Sequence, residues 1–239
     1  MVCGERMSAK QKNSMQQLPE DFITLMREHY GNDDAEALCN ALLTTEPEVS
    51  VRLNRRKISA ICETHPNPPC EGGGMQGLPC EVGWEPVPWC PDAFYLSERP
   101  PFTFDPLLHA GVYYVQEASS MYVAKLLKNY GPETACCALD LCAAPGGKST
   151  LLAGLLPEGS LLLSNEPMSK RANVLAENMQ KWTRMPQGTY PVDSIVTNNY
   201  PADFVAFSIC FDLVVTDVLC SGEGMYRKDV QAVAEWSMA

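Results

Sequence analysis

No apolar run in this chain approaches the roughly 18 residues that a membrane-spanning helix requires. The opening stretch, MVCGERMSAKQKNS, also has no apolar core of the kind a secretory signal carries. These two absences predict a cytoplasmic protein with no membrane partner. A surplus of positive charge is missing as well: 18 Lys and Arg stand against 29 Asp and Glu, a formal net charge of −11. That excludes a protein gripping nucleic acid with its whole surface, so contact with a polyanion needs a local basic patch. Arg52, Arg55, Arg56 and Lys57 form the densest candidate, with a solvated charge run as the competing reading. Eleven cysteines are present, yet Cys62, Cys70, Cys80 and Cys90 are too widely spaced for zinc pairs. The expectation is reduced, scattered thiols and no metal.

What is present is an ordinary globular composition, 46% apolar and 20% charged over 239 residues, enough for two small domains. Residues 1–17 read as a polar leader. Leu18-Pro19-Glu20-Asp21 starts a helix with Leu18, Phe22, Leu25 and Met26 on one face, and Gly31 stops it. Asp33 or Asp34 caps a second helix carrying Ala35, Leu38, Ala41 and Leu42, and Val51-Arg52-Leu53 alternates as a short strand. Residues 63–82, rich in proline and glycine, read as an exposed loop. The aromatic cluster that follows (Trp84, Trp89, Phe94, Tyr95) suits packing between domains or stacking of nucleic-acid bases. Tyr113 to Val115 is extended, and a helix follows from Met121 to Lys128.

The chain is organised around LDLCAAPGGKSTLL, Leu139 to Leu152. A strand apolar on both faces runs into a glycine turn and then a helix start, an arrangement that holds nucleotide-like ligands. Gly146 and Gly147 let backbone approach the ligand. Two readings compete. A P-loop supplies its closing Gly147-Lys148-Ser149 but has Cys142 where its first glycine belongs. A Rossmann-like turn binding S-adenosylmethionine asks for a carboxylate at the end of the next strand, roughly 20 residues on, and Glu166 stands there. A third segment, FDLVVTDVLCSGEGMYRKD, is another buried strand ending in Asp217 and running into Cys220.

Four segments in this order, YYVQEASSM, LCAAPGGKS, NEP with Arg171 behind it, and CSGEGMYRKD, resemble the Nop/Sun family of S-adenosylmethionine-dependent RNA cytosine-5 methyltransferases. Within that family they look like the bacterial members that modify small-subunit ribosomal RNA, and the resemblance runs from about Leu18 to the end of the chain. It implies an α/β fold, a Rossmann-like class I methyltransferase sheet incomplete at the C-terminus, with a small, mainly helical N-terminal domain. The expected division is 18–110 for an RNA-presenting part and 111–239 for the cofactor part. Strands are expected at about 135–142, 161–165, 194–197 and 211–216, and the clearest helices at 149–156 and 168–181.

The resemblance further implies S-adenosylmethionine as cofactor, held by Cys142, Ala143, Ala144, Pro145, Gly146, Gly147, Lys148, Glu166, Arg171 and Asp217. It implies Cys220, Asp217 and Lys148 as catalytic residues and RNA as partner. Cytosine C5 becomes nucleophilic once a cysteine thiolate adds at C6, and a base must later remove the C5 proton. In the family the cysteine matching Cys220 assists release, while the attacking cysteine belongs to a later Thr-Cys segment. No such segment appears before Ala239, so the chain alone is expected to be inactive. Two departures stand out. Leu219 replaces the family's proline before the cysteine, and Tyr200 replaces an aspartate near the adenine, for which Asn198, Asn199 or Asp193 could substitute. A noncatalytic module for RNA or ribosome contact is the competing class, and a P-loop hydrolase a third.

Overall fold

The computed structural model of the chain describes residues 18–64, 84–185, 188–206, 211–218, 222–227 and 229–237. The expected leader, most of the 63–82 loop, and Leu219 and Cys220 lie outside the described residues. The chain forms two compact units, Met1–Pro47 with Leu219–Ala239, and Glu48–Val218.

The first unit is helical. Helix α1 (Glu20–Tyr30) starts behind Pro19, with Glu20 and Asp21 in its first turn, where acids suit the helix dipole. Gly31, at φ +80°, ends it, donating its N–H to Arg27 O at 3.0 Å. Helix α2 (Asn32–Thr44) begins at once, so Asp33 and Asp34 sit inside its first turn instead of capping it. Leu18 and Phe22 pack with Tyr226 and Val233, and the Phe22 ring meets Tyr226 edge-on at 5.2 Å. Leu42 faces the cluster as expected, but Leu38 is exposed and Cys39 and Leu43 face the cluster in its place.

The second unit holds two sheets. In chain order the first contains β1 (Val49–Leu53), β2 (Glu85–Pro86), β3 (Ala93–Leu96) and β4 (Tyr113–Val115), arranged β2-β3-β1-β4 and antiparallel throughout. Only β1 and β4 were expected, and their pairing joins residues to either side of position 110. Helix α3 (Arg55–Thr64) follows β1 directly and reaches into what the composition suggested was loop. The aromatic cluster packs here. Trp84 lies 5.7 Å from Phe94, and the Trp89 indole N–H donates to Ala118 O at 2.7 Å.

Neither reading of the basic run holds for all four residues: Arg55 stays exposed, with 76% of its side chain accessible, while the others turn inward or onto neighbours. Arg52 and Lys57 are buried, Arg55 pairs with Asp92, and Arg56 lies over the Tyr190 ring at 5.6 Å. Lys57 Nζ donates to Ala110 O and Lys181 O; Asn54 Nδ2 donates to Gly111 O and Trp182 O at 3.2 and 3.0 Å. Between them Gly111 takes φ +69°, and a Cβ there would stand 2.1 Å from Lys181 O, so no other residue fits without displacing backbone.

After a short helix, α4 (Val123–Tyr130), the second sheet is parallel: β5 (Cys137–Asp140), β6 (Leu161–Asn165), β7 (Asp193–Thr197) and β8 (Leu213–Val215), in the order β7-β6-β5-β8. All four lie within or close to the ranges expected for them. Helices α5 (Gly147–Leu155) and α6 (Ser169–Thr183) connect the strands. Ala138, Leu152, Leu162, Leu175, Met179 and Trp182 form the core, each large apolar side chain contributing roughly 1.5–3 kcal/mol by leaving water. Among the described residues no helix is long and apolar enough to cross a membrane.

Candidate cofactor and active site

The turn between β5 and α5 sits at the carboxyl edge of the parallel sheet, where open α/β sheets bind ligands. Gly146 adopts φ +112°, a left-handed conformation open to glycine, and its N–H closes the turn onto Ala143 O at 2.8 Å. A Cβ on Gly146 would stand 3.2 Å from Leu175 Cδ1, and one on Gly147 would stand 3.3 Å from the Gln116 amide. The turn's carbonyls are taken from outside. Asn165 Nδ2 donates to Leu141 O, Arg171 Nη2 to Ala144 O and Asn178 Nδ2 to Pro145 O, at 3.1, 2.7 and 2.8 Å. Carbonyls held from outside leave the first N–H groups of α5, which have no intrahelical acceptor, for a ligand.

Two carboxylates flank the turn. Asp140, at the end of β5, is wholly buried; its Oδ2 accepts from Ser149 Oγ at 2.7 Å, and its Oδ1 has no partner among the described residues. Burial pushes its pKa up to about 6, against the opposing pull of the Ser149 bond and the Lys148 charge. Glu166, at the end of β6, is also wholly buried. Its Oε1 accepts from Met168 N at 3.1 Å and from Arg171 Nη1 at 3.4 Å, while Oε2 has no partner among the described residues. Buried oxygens left over in this way are costly and are ordinarily satisfied by water or ligand. They are what a hydroxyl-bearing ligand beside the turn would bond, while the two glycines let the turn pack tightly on the protein's own Leu175 and Gln116. The residues present therefore fit a nucleoside cofactor.

Lys148, in the first turn of α5, pairs with Asp217 beyond the end of β8. Both line a cavity of about 210 Å³ with Tyr114, Gln116, Asp140 and Cys142. Thus the cavity brings together Cys142 to Pro145, Gly147, Lys148 and Asp217, whereas Gly146, Glu166 and Arg171 lie outside its lining. Burial raises the Cys142 thiol's pKa, so this cysteine is an un-ionised side chain at neutral pH.

Of the candidate substitutes for the missing aspartate, Asn198 has its side-chain amide committed to neighbouring protein groups. Its Nδ2 donates to Glu166 O and Pro167 O at 2.6 and 3.0 Å, and its Oδ1 accepts from Ser169. Tyr200 is exposed. Sequence reasoning missed Gln116, Asn178 and Arg52, whose side chains meet the turn from elements remote in sequence. Gln116 alone had a signal, its place in the YYVQEASSM segment.

Residues 18–118 match the family model described as the N-terminal domain of 16S rRNA methyltransferase RsmF, and residues 125–236 match that of 16S rRNA methyltransferase RsmB/F. Among curated proteins, ribosomal RNA small subunit methyltransferase F of Shewanella sp. (strain MR-7) is 33% identical over 232 residues, covering 94% of this chain and 43% of its own length. The protein of that name from Aeromonas hydrophila subsp. hydrophila is 33% identical over 231 residues, covering 92% and 44%. The chain thus spans less than half the length of these relatives. Among solved structures, a methyltransferase homolog protein from Pyrococcus horikoshii aligns with a TM-score of 0.68 at 22% identity, over 95% of this chain and 67% of that one. NSun6 from Pyrococcus horikoshii with SFG aligns at 0.61 and 14% identity, over 85% and 71%. These two likenesses establish the fold.

Proposed function

Because this chain belongs to the 16S rRNA methyltransferase RsmB/F family, of Nop/Sun type, we propose that it serves the transfer of a methyl group from S-adenosylmethionine to C5 of a cytosine in small-subunit ribosomal RNA. One observation supports this reading above the others: a glycine turn whose carbonyls are held from outside, flanked by buried Glu166 and Asp140, each with an oxygen to spare. The P-loop alternative has no such support, since family and fold both belong to methyltransferases.

Gly146, Gly147 and the leading N–H groups of α5 would hold the cofactor's polar end, Glu166 its ribose hydroxyls, and Asp217 would stand near its methionine part. When bound, the cofactor supplies an electrophilic methyl group. Lys148, oriented by Asp217, places a positive charge beside the target base, where it can orient polar groups of the ring and depress a thiol's pKa. Cys220, outside the described residues, takes the role of assisting product release. On this reading Cys220 is not the attacking thiol, so the 239-residue chain should form no covalent bond to the base.

Titration calorimetry of the chain with S-adenosylhomocysteine, and separately with ATP and magnesium, tests the cofactor. The homocysteine analogue should bind, and Glu166→Ala should weaken it by roughly 1–3 kcal/mol, the scale of a lost charged hydrogen bond. Tight ATP binding without any for the analogue would overturn the reading. RNA containing 5-fluorocytosine should give no covalently shifted band with this chain. A band that disappears in Cys220→Ser would make Cys220 the nucleophile and leave the reaction class standing.

A further inference from the structure

Arg52 is a strand residue, 3% exposed, whose guanidinium lies behind the first turn of α5. Its Nε donates to Gln116 Oε1 at 3.3 Å and its Nη1 to Thr150 O at 3.4 Å. Its Nη2 donates to Gly147 O at 3.3 Å and to Thr150 Oγ1 at 2.7 Å. The guanidinium carbon stands 4.4 Å from the Trp182 ring centroid. Each of these acceptors is a neutral oxygen. Burial draws the group's pKa down to about 10, which leaves it charged at neutral pH.

General stability explains this placement poorly. A buried charge is expensive without an opposite charge in contact, and a cation beside a helix N-terminus lies at the dipole's unfavourable end. Asn54 and Lys57, from the same stretch, show the contrast. They grip the carbonyls at the C-terminus of α6, where a cation suits the dipole. What Arg52 gains is geometry. Its planar fork reaches Gly147 O and Thr150 together, which a point charge on a flexible stem cannot do. Because a guanidinium only donates, Gln116 must meet it with its amide oxygen. The Gln116 NH₂ is thereby turned against Gly147, 3.3 Å from where a Cβ would be, with no partner of its own among the described residues.

We propose that Arg52, acting directly and through Gln116, is the positioning residue of the ligand turn. It sets the attitude of Gly147 to Thr150, and with it the leading N–H groups of α5 and the root of Lys148. The inference rests on that turn being the cofactor turn, so its test carries a readout independent of any ligand. In the 239-residue chain, Arg52→Lys should weaken S-adenosylhomocysteine at least tenfold. It should also speed hydrogen exchange at the Thr150 amide, bonded to Gly146 O, at least tenfold relative to the amides of β5 and β6. Lys57→Met, which loosens the opposite grip, should lower stability while leaving both readouts near wild type.

Equal changes in the two variants at matched loss of stability would reduce Arg52 to a packing residue. If wild type binds no S-adenosylhomocysteine, the cofactor reading fails, and hydrogen exchange alone still decides the role of Arg52. If Arg52→Lys does not fold, Gln116→Leu keeps the arginine and removes its Nε acceptor. The same two readouts should then move in the same direction, and their staying put would overturn the proposal.

Discussion

Strands β5 and β8 are neighbours in one sheet, paired in parallel from Ala138 and Leu213, and each leads to an aspartate at the ligand edge. In sequence they look alike: apolar, then acid, then a small-residue turn. In the structure they differ sharply. β5 lies between β6 and β8 with α5 and α6 packed on it, and Asp140 at its end is sealed. β8 is an edge strand of the described sheet, with Val214 52% exposed and the Asp217 side chain 60% exposed. An apolar run shows that a segment can be buried; the number of neighbours decides whether it is. The site accordingly combines a rigid wall, which fixes the turn, with an open margin carrying Asp217.

The largest expected effect tests that contrast directly. Leu152→Ala, in the core beneath β5, should cost about 2–5 kcal/mol in urea unfolding, while Val214→Ala on the edge strand should cost less than about 1 kcal/mol. Comparable losses would mean that β8 is covered in solution and that the two strands are equivalents.

Next in size is the acid at the end of β5. The pKa of Asp140 is raised when folded, so its contribution favours the fold at low pH. That contribution is lost as pH climbs from about 4 through about 6, by an amount on the order of 3 kcal/mol. Asp140→Asn should abolish that step in the pH profile of unfolding, and persistence of the step would assign it to another group. Smallest is the acid beyond β8. Asp217→Asn breaks an exposed pair with Lys148 and should shift stability by less than about 1 kcal/mol, measured in the same way. A larger loss would show that the open margin is a structural element after all.

Much of this was legible in the sequence. Three of the four parallel strands announced themselves as apolar runs, and the glycine turn, Glu166 and Asp217 fell where strand ends placed them. The antiparallel sheet was half hidden because its strands run from two to five residues, too short for alternation to show. The role of Arg52 and Lys57 was hidden for a different reason. Charge in a sequence suggests surface, and their partners stand in segments that no local pattern connects to them. Asn198 was half legible, named as a substitute, but its bonds to the Glu166 and Pro167 carbonyls emerge only from the pairing of β6 with β7.

The grip that Arg52 and Asn54 exert spans long stretches of chain: 95 to 98 residues to the first turn of α5, and 128 to Trp182. During synthesis the gripping stretch leaves the ribosome well before the helices it will hold exist, and contacts so distant in sequence close late in folding. An apolar strand kept waiting in this way would seek any partner at hand. A strand that carries arginine, followed by an asparagine and a lysine, can wait in water and turn inward only when the carbonyls at both helix ends are in place.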